Sequence, residues 1–224
     1  MSDRDHARAA VATASRRLAQ EGLLIGTAGN VSLLFDGPTG PEVAVTATGV
    51  VLGEATAREV SVVALGGEHL DGDLAVTSEI DLHLGVLRDR GGAVVHTHSV
   101  VATSLSLVLD ELPCVHYQQL ALGGAVRVAP FAVFGSAELA EAVRVALEGR
   151  QAAILAHHGT VALGRDLDRA IENALLLEWA ADLYWRAAAV GSGRPPRTLS
   201  EDQQVAVIEA ALARGYGTTR EAGR

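Results

Sequence analysis

A chain of 224 residues is long enough for one domain with a sizeable core and short for two. It is 49% hydrophobic but only 4% aromatic, so alanine, valine and leucine must fill that core. A formal net charge of -9 argues against a nucleic-acid partner, and a single cysteine, Cys114, excludes an internal disulfide and suits a reducing cytoplasm.

The opening Met1-Ser2-Asp3-Arg4-Asp5 lacks the basic-then-apolar order of a signal peptide. Ser2 or Asp3 caps a helix running to about Glu21, with Ala9, Val11, Ala12 and Leu18 among its apolar positions, and Gly22 and Gly26 open a loop after it. Strand-like runs follow at Asn30–Phe35, Val43–Thr46 and Val60–Ala64, separated by turn residues. Ser78 starts a helix carrying Ile80, Leu82, Leu84 and Leu87, which stops near Gly91-Gly92. Ala93–Thr97 reads as a buried strand and Val100–Leu107 as the helix after it.

No formally charged residue falls between Gly91 and Leu109, a stretch of about the ~20 residues that span a membrane. It carries His96, Thr97, His98, Ser99, Thr103, Ser104 and Ser106, however, and each polar group is costly in lipid. A soluble protein without a membrane partner is the expectation. Further strands are predicted at Val126–Ala129 and Ala152–Ala156, with a helix from about Ser136 to Leu147 between them. A long helix spans Asp168 to Val190, Gly191–Pro196 breaks it, and a last helix runs from Ser200 to about Arg214. With no repeat and no interior linker, residues 1–224 form a single domain, of which 191–224 are expected to be a mobile C-terminal segment. Strands interleaved with helices predict a layered α/β domain, and the short, turn-connected early strands predict antiparallel pairing in part of the sheet.

His96 and His98 are two apart in an apolar strand-like run, so both imidazoles point to one face. A third candidate, His158, lies in Ala156-His157-His158-Gly159 at the end of another apolar run. A catalytic zinc site uses three protein ligands and keeps one position open, so these three predict a Zn2+ centre, with another divalent transition metal as the alternative. A lone buried histidine is more often a core residue bonded to backbone, but three such imidazoles without a common partner are expensive to bury. His157 is expected to point to the opposite face of a continuing strand and to be structural.

Several ordered blocks carry a resemblance: Gly26-Thr27-Ala28-Gly29-Asn30-Val31-Ser32, Thr46-Ala47-Thr48-Gly49, Thr77-Ser78-Glu79, Val95-His96-Thr97-His98, His116-Tyr117 and His157-His158-Gly159. In that order, over about Arg16 to Tyr216, the chain resembles the class II aldolase and adducin family, on the side of its L-fuculose-1-phosphate aldolases. The resemblance implies a single-domain, three-layer α/β/α fold with a mixed, largely antiparallel central sheet. It also implies a cytoplasmic homotetramer with active sites at subunit interfaces, and a zinc-dependent aldolase that cleaves a ketose 1-phosphate, such as L-fuculose 1-phosphate, to dihydroxyacetone phosphate and an aldehyde. That retro-aldol cleavage creates an enediolate, whose charge a zinc ion on His96, His98 and His158 can stabilise.

By the same resemblance, Glu79 is the acid/base glutamate, although such a residue can also serve only the helix dipole. Gly29, Asn30, Thr48, Gly49, Thr77 and Ser78 line a phosphate pocket, with Thr27 beside them; ordinary turn and cap chemistry is the alternative. The chain departs from the family pattern at Ala47, where proline is frequent, and at Thr77, where serine is frequent. Tyr117 matches a tyrosine that reaches a neighbouring subunit's site, Phe134 an aromatic walling the aldehyde site, and Tyr216 a tyrosine of the C-terminal tail. Within the superfamily the rivals are a sugar-phosphate 4-epimerase and a methylthioribulose-1-phosphate dehydratase. Of a different functional class are a non-catalytic adducin-like binding protein, which has the fold without the chemistry, and a metallohydrolase barrel, whose His-x-His pair belongs on a first strand rather than mid-chain.

Overall fold

In the computed structural model, which describes residues 2–38, 40–192 and 194–215, helix α1 (Asp3–Gln20) begins on a capping box between Ser2 and Asp5. A meander follows: β1 (Asn30–Gly37), β2 (Gly40–Thr46), β3 (Val60–Ala64) and β4 (His69–Asp71). Next come α2 (Ile80–Arg90), β5 (Ala93–Thr97), α3 (Val100–Leu105) and β6 (Glu111–Leu112). A 3-10 turn at Tyr117–Leu122 leads to β7 (Val126–Ala129), α4 (Ala137–Ala146), β8 (Ala152–Leu155) and β9 (Gly159–Gly164). Helices α5 (Leu167–Val190) and α6 (Glu201–Arg214) complete the described chain.

The strands form one nine-stranded sheet in the order β4-β3-β2-β1-β5-β9-β8-β7-β6. Every described pairing is antiparallel except that of β7 with β8. Side chains alternate between the two faces, as the strand period requires. Val95, Ile154 and Ala162 pack with α1, α3 and α5, while Val94, Leu155 and Val161 pack with α2 and α4. The result is the expected three-layer α/β/α domain with a mixed, largely antiparallel sheet. Among the described residues, no helix is long and apolar enough to cross a membrane.

Three differences from the sequence reading matter. Strand β9 is central and fully buried, in a stretch where the sequence predicts no strand. Edge strands β4 and β6 are too short to show a period of their own. The run at Ala152 ends at Leu155 and turns over into β9, so it does not carry on past Ala156; His157 sits in that turn at φ 59 instead of continuing a strand. Tyr216 lies outside the described residues.

Helix α3 carries the chain away from His98, and its N-terminal cap, Ser99, makes no side-chain cap bond. Glu178 on α5 replaces it, its two carboxylate oxygens accepting from Val101 N at 2.8 Å and Ala102 N at 2.9 Å. Glu178→Ala exposes both donors to a partly dry interface. The expected loss is about 1–2 kcal/mol in urea unfolding, as for other helix caps, and an unchanged midpoint would mean that solvent caps the helix equally well.

Candidate metal centre

The β1–β5–β9 register assembles the site. Asn30 of β1 pairs with His96 of β5, and His96 pairs with Val161 of β9. His96 shares the sheet face of Val94, the face covered by α2, and Glu79 is the residue that opens α2. The β8–β9 turn then swings His158 across from the neighbouring strand pair. Residues far apart in sequence thus converge at one end of the sheet.

The three imidazoles of His96, His98 and His158 stand edge to face with ring centroids 4.8 to 5.0 Å apart. One nitrogen from each lies within 4.8 Å of the others. His96 Nδ1 is 2.9 Å from the carbonyl oxygen of Thr160, which can only accept, so Nδ1 carries the proton and Nε2 the lone pair. That Nε2 lies 3.1 Å from His98 Nε2 and 3.2 Å from Glu79 Oε2. Glu79 Oε1 is 3.4 Å from His158 Nε2 and is the buried side-chain polar atom without a hydrogen bond among the described residues. Lone pairs and a carboxylate facing one another repel unless a positive charge sits among them. The set fits a divalent cation held by the three histidines.

Electrostatics support the neutral, ligand form of His98 and His158. Burial lowers His98 to about 4, with the charges of His96 and His158 adding to the effect. Burial likewise lowers His158. For Glu79, burial pushes the carboxyl upward, but His96 in its protonated form, by hydrogen bond and charge, together with the Asn30 hydrogen bond and the charge of a protonated His158, outweighs it and lowers the group below the usual carboxylate range. It is ionised at any working pH.

A cavity of about 640 Å³ opens on this cluster. One side is lined by Thr27, Gly29, Asn30, Thr48, Gly49, Thr77 and Ser78, so every residue expected at the phosphate pocket is brought together there. Gly29 cannot be replaced easily: its φ is 98, and a Cβ would stand 2.9 Å from the His96 carbonyl oxygen. Thr77 Oγ1 accepts from Glu79 N at 3.2 Å and from Asn30 Nδ2 at 3.1 Å, so its side chain braces the start of α2 as well as lining the cavity. The Asn30 amide nitrogen is spent on Thr77 and on Glu79 Oε2, at 2.8 Å.

Part of the cavity mouth is apolar. Phe131, Val133 and Phe134 are 64%, 61% and 66% exposed at the mouth, with His157 next to Phe131. Tyr117 is elsewhere: it opens the 3-10 turn, 41% exposed, beside a separate apolar groove with Leu176, Ile208 and Leu212. Sequence reasoning passed over Phe131, Val133 and the buried His83, which follows Glu79 by one helical turn. That i, i+4 spacing was the signal available for it.

Gly159 packs beneath the cluster, where a Cβ would strike the Thr97 carbonyl and approach His98 Cδ2 to 3.1 Å and His96 Cε1 to 3.2 Å. Gly159→Ala should therefore displace the imidazoles. Zinc titration is expected to show a weakened or lost site, with stability down by about 1–3 kcal/mol from overpacking; wild-type zinc affinity would contradict this packing role.

Stability of the metal-free protein should also follow pH. His83 and His98 have folded values of about 3 and about 4 against an ordinary 6.5, so between those limits the unfolded chain binds more protons. Stability then rises with pH across that window and is lost as pH falls below about 6.5, the buried His83 alone contributing a slope of up to about 1.4 kcal/mol per unit. Urea midpoints of the zinc-free protein at pH 7 and pH 5 check this, the lower midpoint being expected at pH 5.

Residues 9–185 match the family described as Class II Aldolase and Adducin N-terminal domain. The chain is 35% identical over 199 residues to the 5-methylthioribulose-1-phosphate/5-deoxyribulose-1-phosphate aldolase of Rhodospirillum rubrum, covering 88% of this chain and 86% of that protein. It is 35% identical over 191 residues to the L-fuculose phosphate aldolase of Escherichia coli, covering 84% and 85% of the two. Among solved structures, an L-fuculose 1-phosphate aldolase superposes with a TM-score of 0.84 at 28% identity, covering 92% of this chain and 96% of that one.

Proposed function

The chain belongs to the class II aldolase and adducin N-terminal domain family, whose aldolases are metal-dependent lyases, and from that premise we propose that it cleaves a ketose 1-phosphate to dihydroxyacetone phosphate and an aldehyde with zinc as its metal. The observation that carries this reading is three imidazole nitrogens gathered beside an ionised glutamate at the floor of a cavity of sugar-phosphate size. When bound on His96, His98 and His158, zinc supplies Lewis-acid polarisation of the substrate's carbonyl and hydroxyl oxygens.

The protein's own groups do the rest. The loops holding Thr27, Gly29, Asn30, Thr48, Gly49, Thr77 and Ser78 meet at the start of α2, where hydroxyls and backbone N–H groups suit a phosphate dianion. Glu79, kept ionised, can take the C4 hydroxyl proton as the C3–C4 bond opens. The electron pair of that bond is left on C3 and delocalised to the C2 oxygen, and Glu79 then returns the proton to C3. Tyr117 does not line this cavity in its own chain. Its exposed position supports a homotetramer in which it reaches a neighbour's site and hydrogen-bonds the aldehyde oxygen; the exposed Trp179, Ile208 and Leu212 offer an apolar surface for such contacts. The free thiol of Cys114 fits a cytoplasmic setting.

The apolar rim favours an aldehyde half that ends in a methyl or methylthio group over one ending in a hydroxymethyl. Phe131, Val133 and Phe134 offer no partner to a terminal hydroxyl, which would lose its hydration on entry.

A cleavage assay on L-fuculose, 5-deoxyribulose, 5-methylthioribulose and fully hydroxylated ketose 1-phosphates, with and without chelator, tests the reading. Dihydroxyacetone phosphate should appear, fastest from apolar-ended substrates, and stop when zinc is removed. Epimerisation or dehydration without that product, or no reaction with zinc restored, would assign the chain to another member of the superfamily. His96→Ala should lose zinc. Glu79→Gln should keep zinc while kcat falls on the order of 10²- to 10⁴-fold, and an unchanged kcat removes the proposed acid/base role.

A further inference from the structure

Beneath the site lies a buried polar chain that the retro-aldol steps do not use. Ser32 Oγ is 2.6 Å from His83 Nδ1, His83 Nε2 bonds Asn30 Oδ1, and Asn30 Nδ2 donates to Glu79 Oε2 at 2.8 Å. His83 is completely buried on α2 between the helix and strand β1. We propose that His83 is a positioning residue for Glu79, acting through Asn30: its Nε2–H fixes which end of the Asn30 carboxamide faces the catalytic carboxylate.

The direction of every proton in this chain follows from one end. Glu79 Oε2 is a carboxylate oxygen and accepts only, so the Asn30 atom beside it must be the amide nitrogen. That nitrogen's second hydrogen goes to Thr77 Oγ1 at 3.1 Å. Asn30 Oδ1 is therefore turned to His83 and requires a donor, which must be Nε2–H. In a neutral ring Nδ1 is then the acceptor, and the Ser32 hydroxyl donates to it. Each donor points toward Glu79, an arrangement in which successive hydrogen bonds strengthen one another.

Burial keeps the ring neutral. It lowers His83 to about 3, the charge of His96 acting in the same direction and that of Glu79 against it. A core-filling role alone would not need a donor at Nε2. Without one, nothing resists a half-turn of the carboxamide that would set Oδ1, a second acceptor, against the Glu79 carboxylate. Glu79 would then lose the contact that holds it beside His96 and His158.

Two measurements on the zinc-loaded full chain test this. The first, histidine-selective ¹⁵N spectroscopy, does not depend on the aldolase reading. His83 should show a protonated Nε2 and a bare Nδ1 near neutral pH, and the opposite tautomer or an imidazolium overturns the proposal. The second rests on that reading and compares His83→Phe, which fills the space without a donor, with His83→Gln, which keeps an amide N–H.

Zinc content should match wild type in both variants. In His83→Phe kcat should fall on the order of 10- to 100-fold with KM little changed, as for other groups that orient a catalytic residue, and His83→Gln should recover most of the loss. Equal impairment of the two variants overturns the proposal, as does wild-type kcat in His83→Phe or zinc lost together with turnover. If His83→Phe does not fold, the tautomer decides alone. A wild-type protein without aldolase activity but with the expected tautomer would fault the functional reading and leave His83's role standing.

Discussion

The hydrogen bond from His96 Nδ1 to the Thr160 carbonyl is the constraint on which the site depends. It joins β5 to β9 through a side chain, sets the tautomer, and leaves the Nε2 lone pair aimed at His98 and Glu79. Thr97 and Thr160 add a hydroxyl contact of 2.8 Å across the same strand pair. A one-residue slip of β9 would remove that carbonyl and send alternate side chains to the wrong face. The sheet register and the metal centre are thus one structural fact.

Around that constraint the protein concentrates groups that cannot share a dry pocket without a cation. Its overall charge is -9, yet the site gathers three imidazoles, with burial disfavouring the charged form of His98 and His158, together with a carboxylate stripped of most of its water. Such a cluster is costly in the metal-free chain and favourable once a divalent ion is bound. The acidic surface would not prevent recognition of the proposed anionic sugar phosphate, because a bound ion and the start of α2 would set the local field rather than net charge.

The cavity divides its work by wall. Small and hydroxylated residues from three loop ends line one side, where close backbone approach matters and Gly29 permits it. Exposed aromatic and aliphatic side chains, those of Phe131, Val133 and Phe134, also line the cavity. One chain supplies the ligands, the carboxylate and its bracing, but Tyr117 sits at a different groove. In the proposed homotetramer, Tyr117 would act at a neighbouring copy's site rather than at its own.

Local pattern in the sequence was enough for most elements and for the three-histidine cluster. The His96–His98 spacing, the His157-His158-Gly159 run and Glu79 at a helix start carry the site because ligand type and strand period are short-range properties. The helices and strands from α1 to α5 were readable for the same reason, apart from the short β4 and β6 and from β9. Only the tertiary structure decided β9, since its glycines are there for close packing against Thr97 and α5, which no local rule reveals. It alone placed His158 over the His96–His98 pair and separated Tyr117 from them. It also connected Ser32, His83, Asn30 and Glu79, partners some fifty residues apart, such as His83 and Asn30 with a separation of 53. Contacts of that range are set by strand pairing and helix docking, and their energy exists only when the whole sheet has formed.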